Sequence, residues 1–254
     1  MKTKSYSHPT RRPFLSIWAR ILLIIAFALP QGFVFAAPAA QAQTTYVWEA
    51  YNDCAGTNSI ANTTNILGRT GTGTLKNFAT GSTLTGVTAT FVSSGSPTDG
   101  ASSGAATDLG TDAYDTFNGK ANLVGVVNYG SSSGWYIDLT ITGLDPTKTY
   151  TFATTANRAD ATYTTRISRY TISDISAATN ASTSGVTVIS NESVSFVTGD
   201  NTENGYVARW TSIQPGSDGD FKVRADYPST YQAYGFSVFM LAEELPTGPT
   251  ITTS

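Results

Sequence analysis

The sequence predicts an all-β fold, an antiparallel β-sandwich, and three observations lead to this prediction. Large apolar residues alternate with polar ones in segments such as Trp135–Ile141, which is the period of a strand with one face on a core. Turn residues separate about eleven such segments, and we find no helical periodicity in the chain. Only 13% of the residues are charged, while Thr, Ser, Gly and Asn are abundant, a composition that favours short strands over helices.

Residues 1–42 are predicted to be a cleaved export signal. A basic start precedes the apolar run Ile21–Leu29, and Ala40–Ala42 has the small-x-small pattern of a cleavage site. Thr10–Ser16 resembles the twin-arginine export motif, whereas the apolar run is typical of the general secretory route, so both routes stay open. Pro30 interrupts the apolar run, which favours removal over a retained membrane anchor. We therefore expect an exported protein, extracellular or at the cell surface, with no stable membrane span after cleavage.

Residues 44–244 are predicted to form one β-sandwich module. Its predicted strands are, in chain order, Thr45–Tyr51, Gly86–Val92, Leu123–Val127, Trp135–Ile141, Tyr150–Thr155, Arg166–Ser173, Val186–Ile189, Val194–Val197, Tyr206–Ile213, Phe221–Ala225 and Tyr234–Leu241. The hydroxyl-rich stretches Asn52–Gly86 and Ser93–Leu109 are expected to be surface loops. Residues 245–254 are expected to be a linker and the start of a further domain.

The turn Gly143–Lys148 predicts a hairpin between the strands Trp135–Ile141 and Tyr150–Thr155. Asp before Pro and a flanking Gly supply the turn geometry. The far end of this hairpin opens into the polar segment 157–166. That segment is the densest set of charged, amide and aromatic groups in the chain, so we expect a ligand site near it.

Charge and rare residues exclude several functions. The predicted signal contains five of the fifteen Lys and Arg residues and no Asp or Glu, so the mature part has ten basic against eighteen acidic residues, a net charge of −8. That sign argues against nucleic-acid binding. His8 is the single histidine, and it lies in the predicted signal, which excludes histidine-based catalysis and zinc ligation from the mature part. Cys54 is predicted to be a buried apolar residue.

Three segments resemble galactose-binding-like jelly-roll modules of exported bacterial multidomain proteins. They are the turn Gly143–Tyr150, the loop start Ala156–Arg158 and the closing strand Tyr234–Met240. The resemblance covers most of residues 44–244. It implies a jelly-roll sandwich without catalytic activity, whose ligand is a sugar held by loops at one end. It does not assign individual binding residues.

The residue types of the polar loop are those that bind carbohydrates, since aromatic rings stack on sugar C–H faces while amide, carboxylate and guanidinium groups meet hydroxyls. The predicted ligand-binding residues are Asn157, Arg158, Asp160, Tyr163 and Arg166, joined by Tyr227 and Tyr231 from a second aromatic group. The alternatives are that Asp160 pairs with one of the two arginines and only orders the loop, and that the tyrosines are packing residues. Strand position predicts core packing for Trp48, Trp135 and Trp210.

No cofactor is predicted other than a structural Ca²⁺. Its candidate ligands are Asp112, Asp115 and Asn118, because Ca²⁺ takes six to eight oxygen ligands. A second acidic run, Asp218–Asp220, has the same character, and turn formation explains both runs equally well.

The predicted function is a non-catalytic, secreted or cell-surface carbohydrate-binding module with a polysaccharide or glycan partner. No carboxylate pair suitable for acid–base chemistry stands out in the sequence. Two alternatives stay open. The module is a structural or adhesive β-sandwich of a surface protein, or it is the accessory domain of an extracellular hydrolase whose catalytic domain lies downstream.

Overall fold

The alternating segments fold into strands in the computed structural model, which describes residues 46–54 and 60–246. The predicted signal peptide, and the predicted linker beyond residue 246, lie outside the described residues. Fifteen strands and one helix span the described part: β1 (Tyr46–Asp53), β2 (Thr72–Lys76), β3 (Thr83–Ser94), β4 (Thr98–Gly104), α1 (Asp112–Phe117), β5 (Gly125–Gly130), β6 (Tyr136–Thr142), β7 (Tyr150–Thr155), β8 (Ile167–Ser173), β9 (Ile175–Asn180), β10 (Thr187–Ser190), β11 (Ser193–Val197), β12 (Ala208–Pro215), β13 (Phe221–Asp226), β14 (Ala233–Tyr234) and β15 (Val238–Glu244).

The strands form three antiparallel sheets. A five-stranded sheet has the order β1-β15-β7-β12-β9, and a seven-stranded sheet has the order β10-β11-β8-β13-β6-β3-β2. A small third sheet, β14-β5-β4, completes the set. All-β architecture with antiparallel sheets is therefore confirmed.

Aromatic side chains from the two large sheets meet in a common core. The ring of Phe152 on β7 packs edge-on against Phe221 on β13, with 5.8 Å between centroids, and Phe91 on β3 lies 6.0 Å from Phe239 on β15. All four rings are at most 2% exposed. Their burial is a main source of stability, at about 25 cal/mol per Å² of apolar surface removed from water. The two sheets thus pack face to face, as in a sandwich.

The predicted hairpin across Gly143–Lys148 is wrong. β6 pairs with β3 and β13 in the seven-stranded sheet, whereas β7 pairs with β12 and β15 in the five-stranded sheet. The turn is real, since Asp145 Oδ1 accepts hydrogen bonds from the amide (2.9 Å) and hydroxyl (2.7 Å) of Thr147. It carries the chain from one sheet to the other and does not pair its flanking strands.

All eleven predicted strands overlap observed ones. However, β2 and β4 lie in segments that were predicted to be loops, and no regular element was predicted at α1 or β9. β2 is an edge strand in which Leu75 is the one buried residue. β9 follows β8 after a single residue, Asp174, whose φ is 60°, a conformation that Asp tolerates better than most residues. Among the described residues, no helix is long and apolar enough to cross a membrane.

Candidate functional site

The predicted site loop, residues 156–166, connects β7 of one large sheet to β8 of the other. Asn157 at its start is fully buried. Its amide nitrogen donates to the carbonyl oxygens of Ala105 (3.1 Å) and Ala106 (3.4 Å), and its Oδ1 accepts from the backbone of Asn201 (2.9 Å). Asn157 therefore connects the loop to two neighbouring segments through its hydrogen bonds, and its predicted contact with a ligand stays a prediction.

Asp160 shapes the tip of the loop. Its Oδ1 accepts hydrogen bonds from the backbone amide (3.0 Å) and the hydroxyl (2.6 Å) of Thr162, which closes a local turn. These hydrogen bonds hold the pKa of Asp160 below its ordinary value, and the charges of Arg158 and Arg166 lower it further. The carboxylate is thus ionised, and Thr162 is its hydrogen-bonding partner within the loop.

The guanidinium of Arg166 lies among three tyrosine rings. It stacks on Tyr163 at 3.3 Å from the ring centroid and lies 5.2 Å from the centroid of Tyr129 and 5.5 Å from that of Tyr234. Its Nη1 also donates a hydrogen bond to the hydroxyl of Tyr234. Burial raises the pKa of Tyr234 against the opposing charge of Arg166. The phenol stays neutral and the arginine is held in one orientation by rings and by this hydrogen bond.

Arg158 approaches the same aromatic group. Its guanidinium carbon lies 5.9 Å from the ring centroid of Tyr163, and the side chain is partly exposed. Two positive charges therefore lie near one tyrosine ring on a chain whose net charge is −3. This contrast makes the loop a local positive region.

The second predicted aromatic group lies beside this loop. Thr230 Oγ1 donates to the carbonyl of Thr165 at 3.3 Å, so the segment after β13 adjoins the residue that precedes Arg166. Tyr231 is 47% exposed, and its carbonyl oxygen accepts a hydrogen bond from the indole of Trp135 at 2.6 Å. We call Arg158, Tyr163, Arg166 and Tyr231 the arginine–tyrosine surface.

Tyr227 is a packing residue at the rim of the same end. Its ring lies 6.0 Å from that of Trp135, and its hydroxyl accepts a hydrogen bond from the amide of Gly134 at 2.7 Å. The hydrogen bonds to Ser133 and Gly134 lower the pKa of Tyr227. The hydroxyl of Tyr227 is therefore engaged by the loop before β6. Tyr227 is also less exposed than Tyr231.

Sequence reasoning missed Tyr129, which lies on β5 within 5.2 Å of the Arg166 guanidinium. The ring of Tyr129 also lies 5.2 Å from that of Tyr234. β5 pairs with β14, and the register places Tyr129 opposite Tyr234. No local pattern around residue 129 indicates this pairing, because it joins segments about a hundred residues apart.

The calcium candidates Asp112, Asp115 and Asn118 lie on or at the end of α1, not in an open loop. Arg209 donates to both carboxylate oxygens of Asp112, at 2.7 and 3.0 Å, and Thr183 adds a third hydrogen bond at 2.6 Å. In residues 46–54 and 60–246, no group of three or more His, Cys, Asp or Glu side chains is placed to hold a metal ion. Asp112 is thus engaged by Arg209, a cation of the protein itself, and calcium binding at this segment stays a prediction.

The other acidic run, Asp218–Asp220, forms a turn. Asp218 Oδ1 accepts from the amide of Asp220 at 3.2 Å, and Asp220 Oδ1 accepts from the amide of Gly143 at 3.3 Å. These contacts join the turn after β12 to the turn after β6. Turn formation, the alternative to calcium binding, is what the structure shows for this segment.

The tryptophans behave largely as predicted. Trp135 and Trp210 are fully buried in the core, with exposures of 1% and 0%. Trp48 is partly buried against the core, and its indole donates to Glu243 at 2.8 Å. Cys54 is a buried free cysteine, as predicted.

No protein-family model, curated protein or solved structure matches the chain. The resemblance to galactose-binding-like modules therefore stays a prediction, and a proposal of function depends on the geometry of the site.

Proposed function

We propose that this chain is an exported, non-catalytic carbohydrate-binding module and that it binds a glycan at the arginine–tyrosine surface. The observation that carries the proposal is the hydrogen bond between Thr230 and Thr165, which brings the segment of the exposed Tyr231 next to the loop of Arg158 and Arg166. A stacking ring beside charged hydrogen-bond donors is the combination that sugar recognition needs.

The surface is preorganised, which favours binding. Asn157 fixes the start of the loop, and the Asp160 turn fixes its tip. Arg166 is held by Tyr163 and Tyr234. A ligand therefore meets groups that have already lost much of their conformational freedom, and less of the binding energy is spent on ordering them.

Four carboxylates among the described residues are engaged with cations of the protein, which supports binding in preference to catalysis. Asp112, Asp138 and Asp226 each form a bidentate pair with an arginine, and Glu243 pairs with Lys148 at 2.7 Å. A general acid or base needs a carboxyl group that can exchange a proton near neutral pH. At Asp112 the pairing has the opposite effect, because, despite burial, the hydrogen bonds and charge of Arg209 lower its pKa and keep it ionised.

Affinity gel electrophoresis in native gels that contain neutral or acidic polysaccharides tests the proposal. Wild-type protein should be retarded by at least one polysaccharide, and the double variant Arg166→Ala/Tyr231→Ala should lose about 10-fold or more in affinity because both the stacking ring and the charged donor are gone. Lys76→Ala is the control, since Lys76 is an exposed cation on the edge strand β2, which is separated from β8 by three strands of the seven-stranded sheet. A folded wild-type protein that is retarded by no polysaccharide would contradict the proposal.

A structural or adhesive role is the second candidate, and the edge strand β10 favours it. β10 ends the seven-stranded sheet, and its Val188 and Ile189 are 60% and 51% exposed. An uncharged, apolar edge strand can pair with the same strand of a second copy. Sedimentation velocity should then show wild-type dimers and a monomeric Val188→Lys variant. A wild-type protein that is monomeric at high concentration would rule out this candidate.

A further inference from the structure

We infer that the ligand of the arginine–tyrosine surface is an acidic glycan, and that Arg166 binds the carboxylate of a uronic acid unit. This inference rests on the proposed function and adds the chemical class of the sugar. It follows from the way in which Arg166 differs from Arg169, Arg209 and Arg224.

Three arginines are neutralised by aspartates in two-point contacts. Arg169 pairs with Asp226, Arg209 with Asp112 and Arg224 with Asp138, with nitrogen–oxygen distances of 2.6 to 3.0 Å. Among the side chains that the structure describes, no aspartate or glutamate forms an ion pair with Arg166. Its contacts are with tyrosines. The structure thus holds this charge in place without a two-point contact to a carboxylate, and the ionised Asp160 of the same loop interacts with it at longer range.

The geometry of the cluster leaves the guanidinium able to receive an anion. A guanidinium carries five N–H donors, and the hydrogen bond to Tyr234 uses one of them, at Nη1. The ring of Tyr163 covers a face of the guanidinium, at 3.3 Å, and does not use its in-plane donors. A carboxylate fits the planar donor fork through two parallel hydrogen bonds, which is the geometry that the protein's own Asp–Arg pairs adopt.

The surroundings of Arg166 favour a negative ligand. Arg158 adds a second guanidinium, 5.9 Å from the centroid of the same Tyr163 ring. Asp160, the nearest acid in the loop sequence, has its Oδ1 engaged by Thr162. Tyr231 is exposed and follows Thr230, which contacts the loop, so its ring is a candidate stacking partner for the apolar face of the sugar. A uronic acid unit offers both a carboxylate and a C–H face, so it matches both features.

Matched pairs of polysaccharides test the inference with the full-length protein. Polygalacturonate is compared with its methyl ester, and alginate with its propylene glycol ester, because esterification removes the charge and keeps the sugar backbone. We expect retardation by one or both free acids, at least about 10-fold weaker binding to the corresponding ester, and a loss of affinity as the salt concentration rises.

Variants of Arg166 separate ligand binding from a structural role. Arg166→Gln keeps N–H donors but loses the charge, so it should weaken binding to the acid form about 10- to 100-fold and weaken binding to the ester by a smaller factor. Arg166→Lys keeps the charge without the planar fork and should give intermediate affinity. Thermal unfolding of each variant monitors folding, and a folded Gln variant that binds the acid form like wild type would overturn the inference.

The inference and the proposed function fail in different ways. Equal retention by the free acid and its ester, or retention only by neutral polysaccharides, would overturn the inference and leave carbohydrate binding intact. A folded protein that is retained by no acidic or neutral polysaccharide would overturn both.

Discussion

At the scale of single residues, the ion pair between Asp112 and Arg209 joins the helix α1 to the strand β12. Burial would raise the pKa of Asp112, but the hydrogen bonds and charge of Arg209, together with the hydroxyls of Thr183 and Thr116, lower it below its ordinary value. Both side chains are about one-fifth exposed. The pair therefore ties α1 to β12 in a partly dehydrated setting, where removing one partner leaves the other charge uncompensated.

Replacing Asp112 with Asn should destabilise the protein by about 2–4 kcal/mol at pH 7. A carboxyl group whose pKa is lower in the folded state stabilises the protein above the pKa of the unfolded chain, about 3.9. This contribution is lost as the pH falls below that value, so the difference between wild type and variant should shrink there. Urea unfolding at pH 7 and at decreasing pH measures it.

The control for this change is Asp115→Asn, on the same helix and exposed. It removes a carboxylate near the start of α1 without breaking the pair with Arg209, so it should cost less than about 1 kcal/mol. An Asp112 effect that did not change between pH 7 and acid pH would show that packing, not the ion pair, is responsible.

At the scale of elements, the turn between β6 and β7 connects the two large sheets. Gly143 has a φ of +78°, and a Cβ at this position would lie 2.1 Å from the carbonyl oxygen of Gly86. The backbone conformation and the close approach both require glycine. This turn therefore joins two sheets through a contact that no larger residue can make.

Gly143→Ala should destabilise the protein by about 1–2 kcal/mol from the backbone conformation and by about 1–3 kcal/mol more from the steric contact. Gly134→Ala is a matched control because Gly134 has a similar φ of +82° and no heavy atom within 4 Å of the added Cβ. Equilibrium unfolding of both variants compares them. Equal losses of stability would contradict the steric part of the argument.

Elements with one buried face were predictable from the sequence, and elements without that pattern were not. In β6 and β13, buried and partly exposed residues alternate along the whole strand. β2 buries one side chain and therefore shows no period. Turn residues indicate that the chain reverses, but they do not indicate which sheet receives the next strand, which is why the β6–β7 hairpin was predicted wrongly.

The candidate site was predictable in its composition and not in its assembly. The loop that contains Arg158 and Arg166 was recognised because its polar and aromatic residues are adjacent in sequence. The arrangement of Tyr129 and Tyr234 around Arg166 depends on the pairing of β5 with β14. That pairing joins distant segments, and the structural role of Asn157 likewise follows from contacts with residues more than forty positions away.

At the scale of the whole molecule, one core connects both large sheets. Its buried residues come from strands of each sheet and include Cys54, Trp135 and Trp210. Cys54 is 2% exposed, and its amide donates to the carbonyl of Ser237 at 2.9 Å. Burial and the nearby charge of Asp53 raise the pKa of the Cys54 thiol well above its ordinary value. Since the thiolate is the reactive form, native Cys54 should react very slowly.

This single thiol can therefore report whether the sandwich unfolds as one unit. In increasing urea, labelling of Cys54 with an aromatic disulfide reagent should rise at the same midpoint as the loss of far-ultraviolet circular dichroism and the change in tryptophan fluorescence. The shared core predicts this coincidence, because Cys54 becomes accessible only when both sheets separate. A Cys54→Ala variant should show no labelling and the same spectroscopic transition within about 1 kcal/mol. Labelling that was complete while circular dichroism remained native would show that the region around Cys54 opens independently of the sheets.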